Sequence, residues 1–168
     1  MDTTEELRLK IEQFLSALSK QPHESELKKT QDGKALDLPI DFVETKLDEY
    51  FFGIWNTQNF HFQQIFNEVA GSIELIIQHP ITGQTITRTG SAAIIIQQDS
   101  GANISEFATT KKKNALDLGM GRLKAECVKN AAKSLGNQFG RNINRKEKDN
   151  YQGFMTAKKL LEENRKIN

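Results

Sequence analysis

The segment from Arg122 to Gly140 constrains the fold most, because its residues follow the pattern of one helix with two different faces. Each residue turns the helix by about 100°, so residues three and four apart share a side. One side is polar and carries Arg122, Glu126, Lys129, Lys133 and Asn137. The other side is apolar and carries Cys127, Val128, Ala131, Leu135 and Phe139. This pattern predicts a helix that buries one face and presents a basic face.

Three local expectations follow from this helix. Lys129 and Lys133 share the polar stripe, so we expect both to be exposed and replaceable by alanine with little effect on the core. Cys127, the only cysteine, is expected to be a buried small hydrophobic residue rather than a reactive thiol. The segment from Gly136 to Gly140 is expected to end or break the helix, and Gly136, with the alanines, to let another backbone approach closely.

The rest of the chain predicts an α+β fold, in which an antiparallel β-meander packs against this basic helix and helices flank the core. Residues 4–18 have helical apolar spacing, and the polar stretch from Ser19 to Leu38 is interpreted as a linker. From Phe60 the apolar period changes to two, which predicts three or four strands. We divide the chain into an N-terminal amphipathic helix with its linker (1–35), a central domain (36–145) and a C-terminal helical tail (146–168). Because the linker frees the first helix, Leu7, Ile11 and Leu15 are expected to dock on another subunit.

Charge is distributed unevenly along the sequence. Residues 1–50 have a net charge of −5, residues 51–110 of −3 and residues 111–168 of +9. Such asymmetry favours a polyanionic partner for the C-terminal third, and head-to-tail contact between acidic and basic parts of neighbouring subunits. A solvated, salt-bridged surface is an equal alternative on charge alone.

Several function classes lack their usual sequence signals. There is no Walker-type loop, no complete dinucleotide fingerprint and no nucleophile elbow, and the three histidines lack metal-ligand spacing. We therefore expect no cofactor, no bound metal and no enzymatic activity. Asp41, Glu44, Asp48 and Glu49 could imitate a metal-dependent nuclease, but a solvated helix face is favoured. No apolar run reaches the roughly 20 residues of a membrane span, and the acidic start is unlike a signal peptide, so we expect no membrane association and a cytoplasmic location.

Basic residues in the C-terminal third are of the type that neutralises phosphates without reading sequence. Together with two further polar candidates they give the following predicted DNA-binding residues: Arg88, Lys111, Lys112, Lys113, Arg122, Lys124, Lys129, Lys133, Asn137, Arg141 and Arg145.

The segment from Lys124 to Gly140, which ends Ser-Leu-Gly-Asn-Gln-Phe-Gly, resembles the signature helix of the Rad52 family of single-strand annealing proteins. The upstream order of elements is similar too: a helix ending at Phe52-Gly53, Trp55 after it, a β-meander, and a lysine-rich approach to the signature helix. The resemblance covers about residues 36–145 and is strongest to the compact phage-borne members. It implies that this part is a ssDNA-binding and annealing domain.

The resemblance also implies a function and a set of contacts. Members of the family assemble into rings or arcs and hold ssDNA in an outer basic groove, with the bases exposed for pairing. By position, Lys129 and Lys133 match the family's groove cations, while Asn130 stands where members often carry another basic residue. The implied activity is non-specific ssDNA binding and ATP-independent annealing in homologous recombination and repair. The implied partners are ssDNA, further copies of the chain and a host or phage ssDNA-binding protein, in the cytoplasm of a bacterial cell.

Two alternatives stay open. In the first, the chain is an oligomeric assembly protein in which the basic third meets the acidic half of the next subunit, and nucleic-acid binding is incidental. In the second, the acidic helix serves a metal-dependent nuclease. Annealing of oligonucleotides without nucleotide or divalent metal would separate the predicted function from both.

Overall fold

A computed structural model gives the structure of the chain and describes residues 4–30 and 33–145. The helices and strands, in chain order, are α1 (Thr4–Ser19), β1 (Lys28–Lys29), β2 (Leu36–Asp37), α2 (Ile40–Phe51), β3 (Trp55–Ile65), β4 (Glu68–Gln78), β5 (Thr85–Ile95), α3 (Phe107–Thr110) and α4 (Ala115–Lys133). The predicted C-terminal tail, residues 146–168, lies outside the described residues. None of the helices in the described part is long and apolar enough to cross a membrane.

The main sheet is an antiparallel meander with the order β3-β4-β5. Its central strand, β4, alternates in burial: Val69, Gly71, Ile73, Leu75 and Ile77 lie on the core face, and the residues at alternate positions lie on the other face. The predicted α+β fold, with a three-stranded meander against a long helix, is therefore confirmed. Both β3 and β5 are edge strands of this sheet.

Helix α4 lies across β4 and β5 on the core face of the sheet. Its apolar residues Leu123, Cys127 and Ala131 are each 0% exposed, which confirms the predicted apolar face and the burial of the cysteine. The contact with β5 is backbone on backbone at Gly90. A Cβ there would lie 2.0 Å from the carbonyl oxygen of Cys127 and 2.3 Å from the amide nitrogen of Ala131. Only glycine allows the helix to approach the strand this closely.

A second core joins α1 and α2 to the end of α4. Leu18, Phe51 and Phe139 are buried in it, and the ring of Phe14 packs edge-on against Phe51 at 5.9 Å. Helix α4 ends at Lys133, earlier than the expected end at Gly136 to Gly140, and Asn137–Phe139 forms a separate short 3-10 turn. A Cβ on Gly136 would lie 2.5 Å from the Leu18 carbonyl oxygen. The expectation that α1 is free of its own domain is therefore wrong for its C-terminal half.

The segment interpreted as a linker contains a β-hairpin, in which Lys28 pairs with Asp37 and Lys29 pairs with Leu36. Asn144 fixes this hairpin from the far end of the described chain. Its side chain accepts a hydrogen bond from the Leu36 amide at 2.8 Å and donates one to the Leu36 carbonyl at 2.7 Å. The hairpin is thereby held beside α4, where it forms one wall of the groove described next.

Candidate nucleic-acid interface

A groove of about 810 Å³ runs along the polar face of α4. One wall is α4 itself, the second is the end of β5 with the residues after it, and the third is the β1–β2 hairpin with Asn144. The lining residues are Arg122, Glu126, Asn130 and Lys133 of α4, Ala92 to Gln98, and Thr30, Leu36, Asp37 and Asn144.

Lys133 is held on the groove by a short chain of hydrogen bonds. Its Nζ donates to Asn130 Oδ1 at 2.8 Å, and Asn130 Nδ2 donates to the Ser91 carbonyl of β5 at 2.8 Å. Asn130, at the position where the resembled family often has a cation, thus orients Lys133 and ties α4 to the edge strand. Lys133 is half-buried, and Arg122 is exposed at the other end of the same stripe. Within the part of the chain that the structure describes, neither cation is paired with a carboxylate.

Lys129 does not lie on an exposed stripe, and the expectation that it can be replaced without effect on the core is corrected here. It is only 5% exposed and makes ion pairs with Asp37 of the hairpin and, at 2.8 Å, with Glu126 one turn earlier. Burial by itself lowers the pKa of Lys129, but the hydrogen bonds from Lys129 to Asp37 and Glu126 outweigh it, and the pKa is raised. Lys129 therefore stays charged and joins α4 to the hairpin.

The lysine cluster before α4 reaches one end of the groove. Gln98 forms a β-bridge with Lys111, and the amide of Lys112 donates to the Gln97 carbonyl at 3.1 Å. Gln97 and Gln98 line the groove, so the cluster continues its β5 wall. Lys112 and Lys113 are exposed, and Lys111 is half-buried.

Three predicted residues line a neighbouring cavity of about 560 Å³ at the C-terminal end of α4, namely Asn137, Arg141 and Arg145. Arg141 has a structural contact there, because its guanidinium donates to the carbonyls of Lys133 and Ser134, which close the end of α4. Asn137 donates to the Ser19 carbonyl at 2.8 Å and so ties this end of the fold to α1.

Two predicted residues lie away from the groove. Lys124 follows Arg122 by two residues, which places it about 200° around the helix, on the opposite side. Arg88 lies on β5 before the stretch that lines the groove, and its guanidinium donates to the neighbouring Thr87 carbonyl. The structure therefore brings together Arg122, Lys129 and Lys133, places the lysine cluster at their end, and separates Lys124 and Arg88 from them.

Sequence reasoning missed the hairpin wall, which contributes Thr30, Leu36 and Asp37. Strands of two residues have no period that could reveal them, and the polar composition around them is typical of a linker. The sequence signal that could have indicated a hairpin here is Gly33, which favours a turn, with Lys28 and Lys29 before it and the apolar pair Ala35 and Leu36 after it.

The carboxylates of α2 are exposed, and two of them have local partners. Asp48 accepts a hydrogen bond from Trp55 Nε1 at 2.7 Å, and Glu49 pairs with Lys46 at 2.6 Å. In residues 4–30 and 33–145, no group of three or more His, Cys, Asp or Glu side chains is arranged to hold a metal ion.

Comparison with known proteins gives no further assignment, since no protein-family model and no curated protein matches this chain.

Proposed function

We propose that this protein binds single-stranded DNA without sequence specificity along the groove of α4 and promotes annealing of complementary strands without ATP or metal catalysis. The observation that carries the proposal is the placement of Arg122 and Lys133 on one side of α4, facing one groove. They are eleven positions apart in the sequence, so they stand about 16 Å apart along the helix axis. That spacing is longer than one nucleotide step and suits two non-adjacent phosphates of one extended strand better than a single small anion.

The groove is suited to backbone capture. Its cations can neutralise phosphates, and none of its described lining residues is aromatic, so base stacking contributes little. A strand held by its phosphates keeps its base edges free for pairing. Neutralisation also lowers the repulsion between two strands of like charge, which is what annealing requires, and no chemical step is needed.

We also propose that the protein acts as a homo-oligomer. Three apolar side chains near the end of edge strand β3 are exposed: Phe62 by 60%, Ile65 by 58% and Phe66 by 61%. A long edge strand with exposed apolar residues favours pairing with another chain. The same observation favours the second candidate function, an assembly protein for which nucleic-acid binding is incidental.

The test is annealing of dye-labelled complementary oligonucleotides in EDTA without nucleotide, combined with light scattering of the same protein. We expect the protein to accelerate pairing above the spontaneous rate and to scatter as an oligomer. An oligomer that neither binds ssDNA nor accelerates pairing would favour the assembly protein. A parallel reaction with Mg²⁺ in place of EDTA tests the nuclease, which strand cleavage in that reaction alone would favour.

A further inference from the structure

Two carboxylates line the groove beside its cations. Asp37 reaches it from the hairpin and Glu126 from α4, and their side chains are 31% and 32% exposed. Both contact Lys129, so the most central cation of the stripe is already neutralised from within the molecule. A phosphate entering the groove meets Arg122 and Lys133 together with two negative groups that lower its affinity.

Asp37 is the more informative of the two, because its position depends on the hairpin. Strand β2 is fixed through the two hydrogen bonds between Asn144 and Leu36, and the next residue, Leu38, is 3% exposed and anchored in the core. These contacts hold the backbone on both sides of Asp37 independently of the ion pair with Lys129. The Asp37 carboxylate thus places a negative charge on the wall of the groove, where phosphates would lie.

We propose that Asp37 is an affinity-limiting residue of the groove, whose negative charge on the groove wall offsets the charge of Lys129, repels DNA phosphate and keeps the binding of single strands weak. This inference rests on the proposed function. Its consequence for annealing is direct, since a protein that captures strands through phosphates must also release the duplex that they form.

The test compares Asp37→Asn with Asp41→Asn in the full chain, by equilibrium binding of a fluorescent oligothymidylate over a series of salt concentrations. Both variants replace Asp by Asn and so change the net charge equally. Asp41 serves as the control because it is exposed on α2 and lies outside the groove. Because Asp37→Asn removes one negative charge from the groove wall, we expect the groove to neutralise about one further phosphate, with a salt slope steeper by about 0.7 and affinity about fivefold tighter near 0.1 M salt. Asp41→Asn should leave the slope unchanged.

A second pair of variants tests the proposal without disturbing the contact between Asp37 and Lys129, which Asp37→Asn weakens. Glu126→Gln removes the other carboxylate from the α4 side and should also tighten binding, whereas Glu44→Gln on α2 is its charge-matched control. Thermal unfolding checks that each variant remains folded. If the wild-type protein binds oligothymidylate and both groove variants match their controls, Asp37 and Glu126 do not limit affinity and the inference is overturned. If the wild-type protein does not bind at all, the proposed function itself fails.

Discussion

The environment of Lys129 shows that a basic residue on the polar stripe of a helix can stabilise the fold rather than bind a ligand. The residue is 5% exposed, and its ammonium pairs with two carboxylates from different parts of the chain. Lys133, one turn further along, is held by the neutral amide of Asn130 and faces the groove. We therefore expect replacement of Lys129 to lower mainly the stability of the fold, and replacement of Lys133 to lower mainly the binding of DNA.

Replacing Lys129 by methionine should lower the free energy of unfolding by about 2–3 kcal/mol, because Asp37 and Glu126 would face each other without a cation. The loss is smaller than for a fully buried pair, since both carboxylates are partly exposed. Lys133→Ala should cost less than about 1 kcal/mol. Urea denaturation followed by circular dichroism measures both. Equal losses in the two variants would show that Lys129 has no special structural role.

His79 should make the packing of α1 sensitive to pH. Its Nδ1 accepts hydrogen bonds from the amides of Ile81 and Thr82, and its ring packs edge-on against Phe14 of α1. Burial lowers the pKa of His79 below its ordinary value of 6.5. The native state thus disfavours the protonated ring. The contribution of His79 to stability is therefore fully present above the ordinary pKa of 6.5 and is lost as pH falls through the lowered pKa.

The measurement for His79 is the midpoint of thermal unfolding between about pH 8 and pH 5, where histidine is the side chain that ordinarily titrates. We expect the midpoint to fall on the acidic side in the wild-type protein. His79→Asn keeps an acceptor for the turn amides but does not titrate, so its profile should be flatter. Parallel profiles for the two proteins would exclude His79 as the cause.

At the scale of elements, the contact between α4 and β5 depends on the absence of a side chain at Gly90. Gly90→Ala should destabilise the fold by about 3 kcal/mol or more, because a methyl group would force two backbones apart. Gly121→Ala is the matched control, since no atom outside its own helix lies within 4 Å of the added Cβ. It should stabilise α4 by about 0.5–1 kcal/mol. Thermal unfolding measures both variants against the wild-type protein. Equal and small shifts of the two unfolding midpoints would contradict the close approach of α4 to β5 at Gly90.

The sequence predicted those elements whose evidence is local. The 3.6-residue period of α4 and the period of two that begins at Phe60 each extend over many residues, and a long helix and a three-stranded meander form there as expected. The burial of Lys129 could not be predicted in this way, because its partner Asp37 lies 92 residues earlier. Asp37 also belongs to a two-residue strand inside a polar segment. The candidate site was therefore predicted on its α4 side and missed on its hairpin side.

At the scale of the whole molecule, part of the predicted attraction between the acidic and basic regions is used within one chain. Asp37 belongs to the acidic first part and Lys129 to the basic last part, and their ion pair joins the two. Among the described residues, several of the predicted DNA-binding residues face the groove or its end without a carboxylate partner and can meet a polyanion there. They include Arg122, Lys133 and the exposed lysines of the cluster before α4.

The central claim is that this groove binds the phosphates of single-stranded DNA through Arg122 and Lys133. The most direct measurement is the slope of log affinity against log salt for a fluorescent oligothymidylate, in the wild-type protein, in the double variant Arg122→Ala/Lys133→Ala and in Lys124→Ala. We predict a slope flatter by about 1.4 in the double variant, which is about 0.7 for each phosphate that the protein no longer neutralises. Lys124→Ala, on the opposite side of α4, should bind like the wild-type protein. A folded, oligomeric double variant with unchanged affinity and slope would contradict the account.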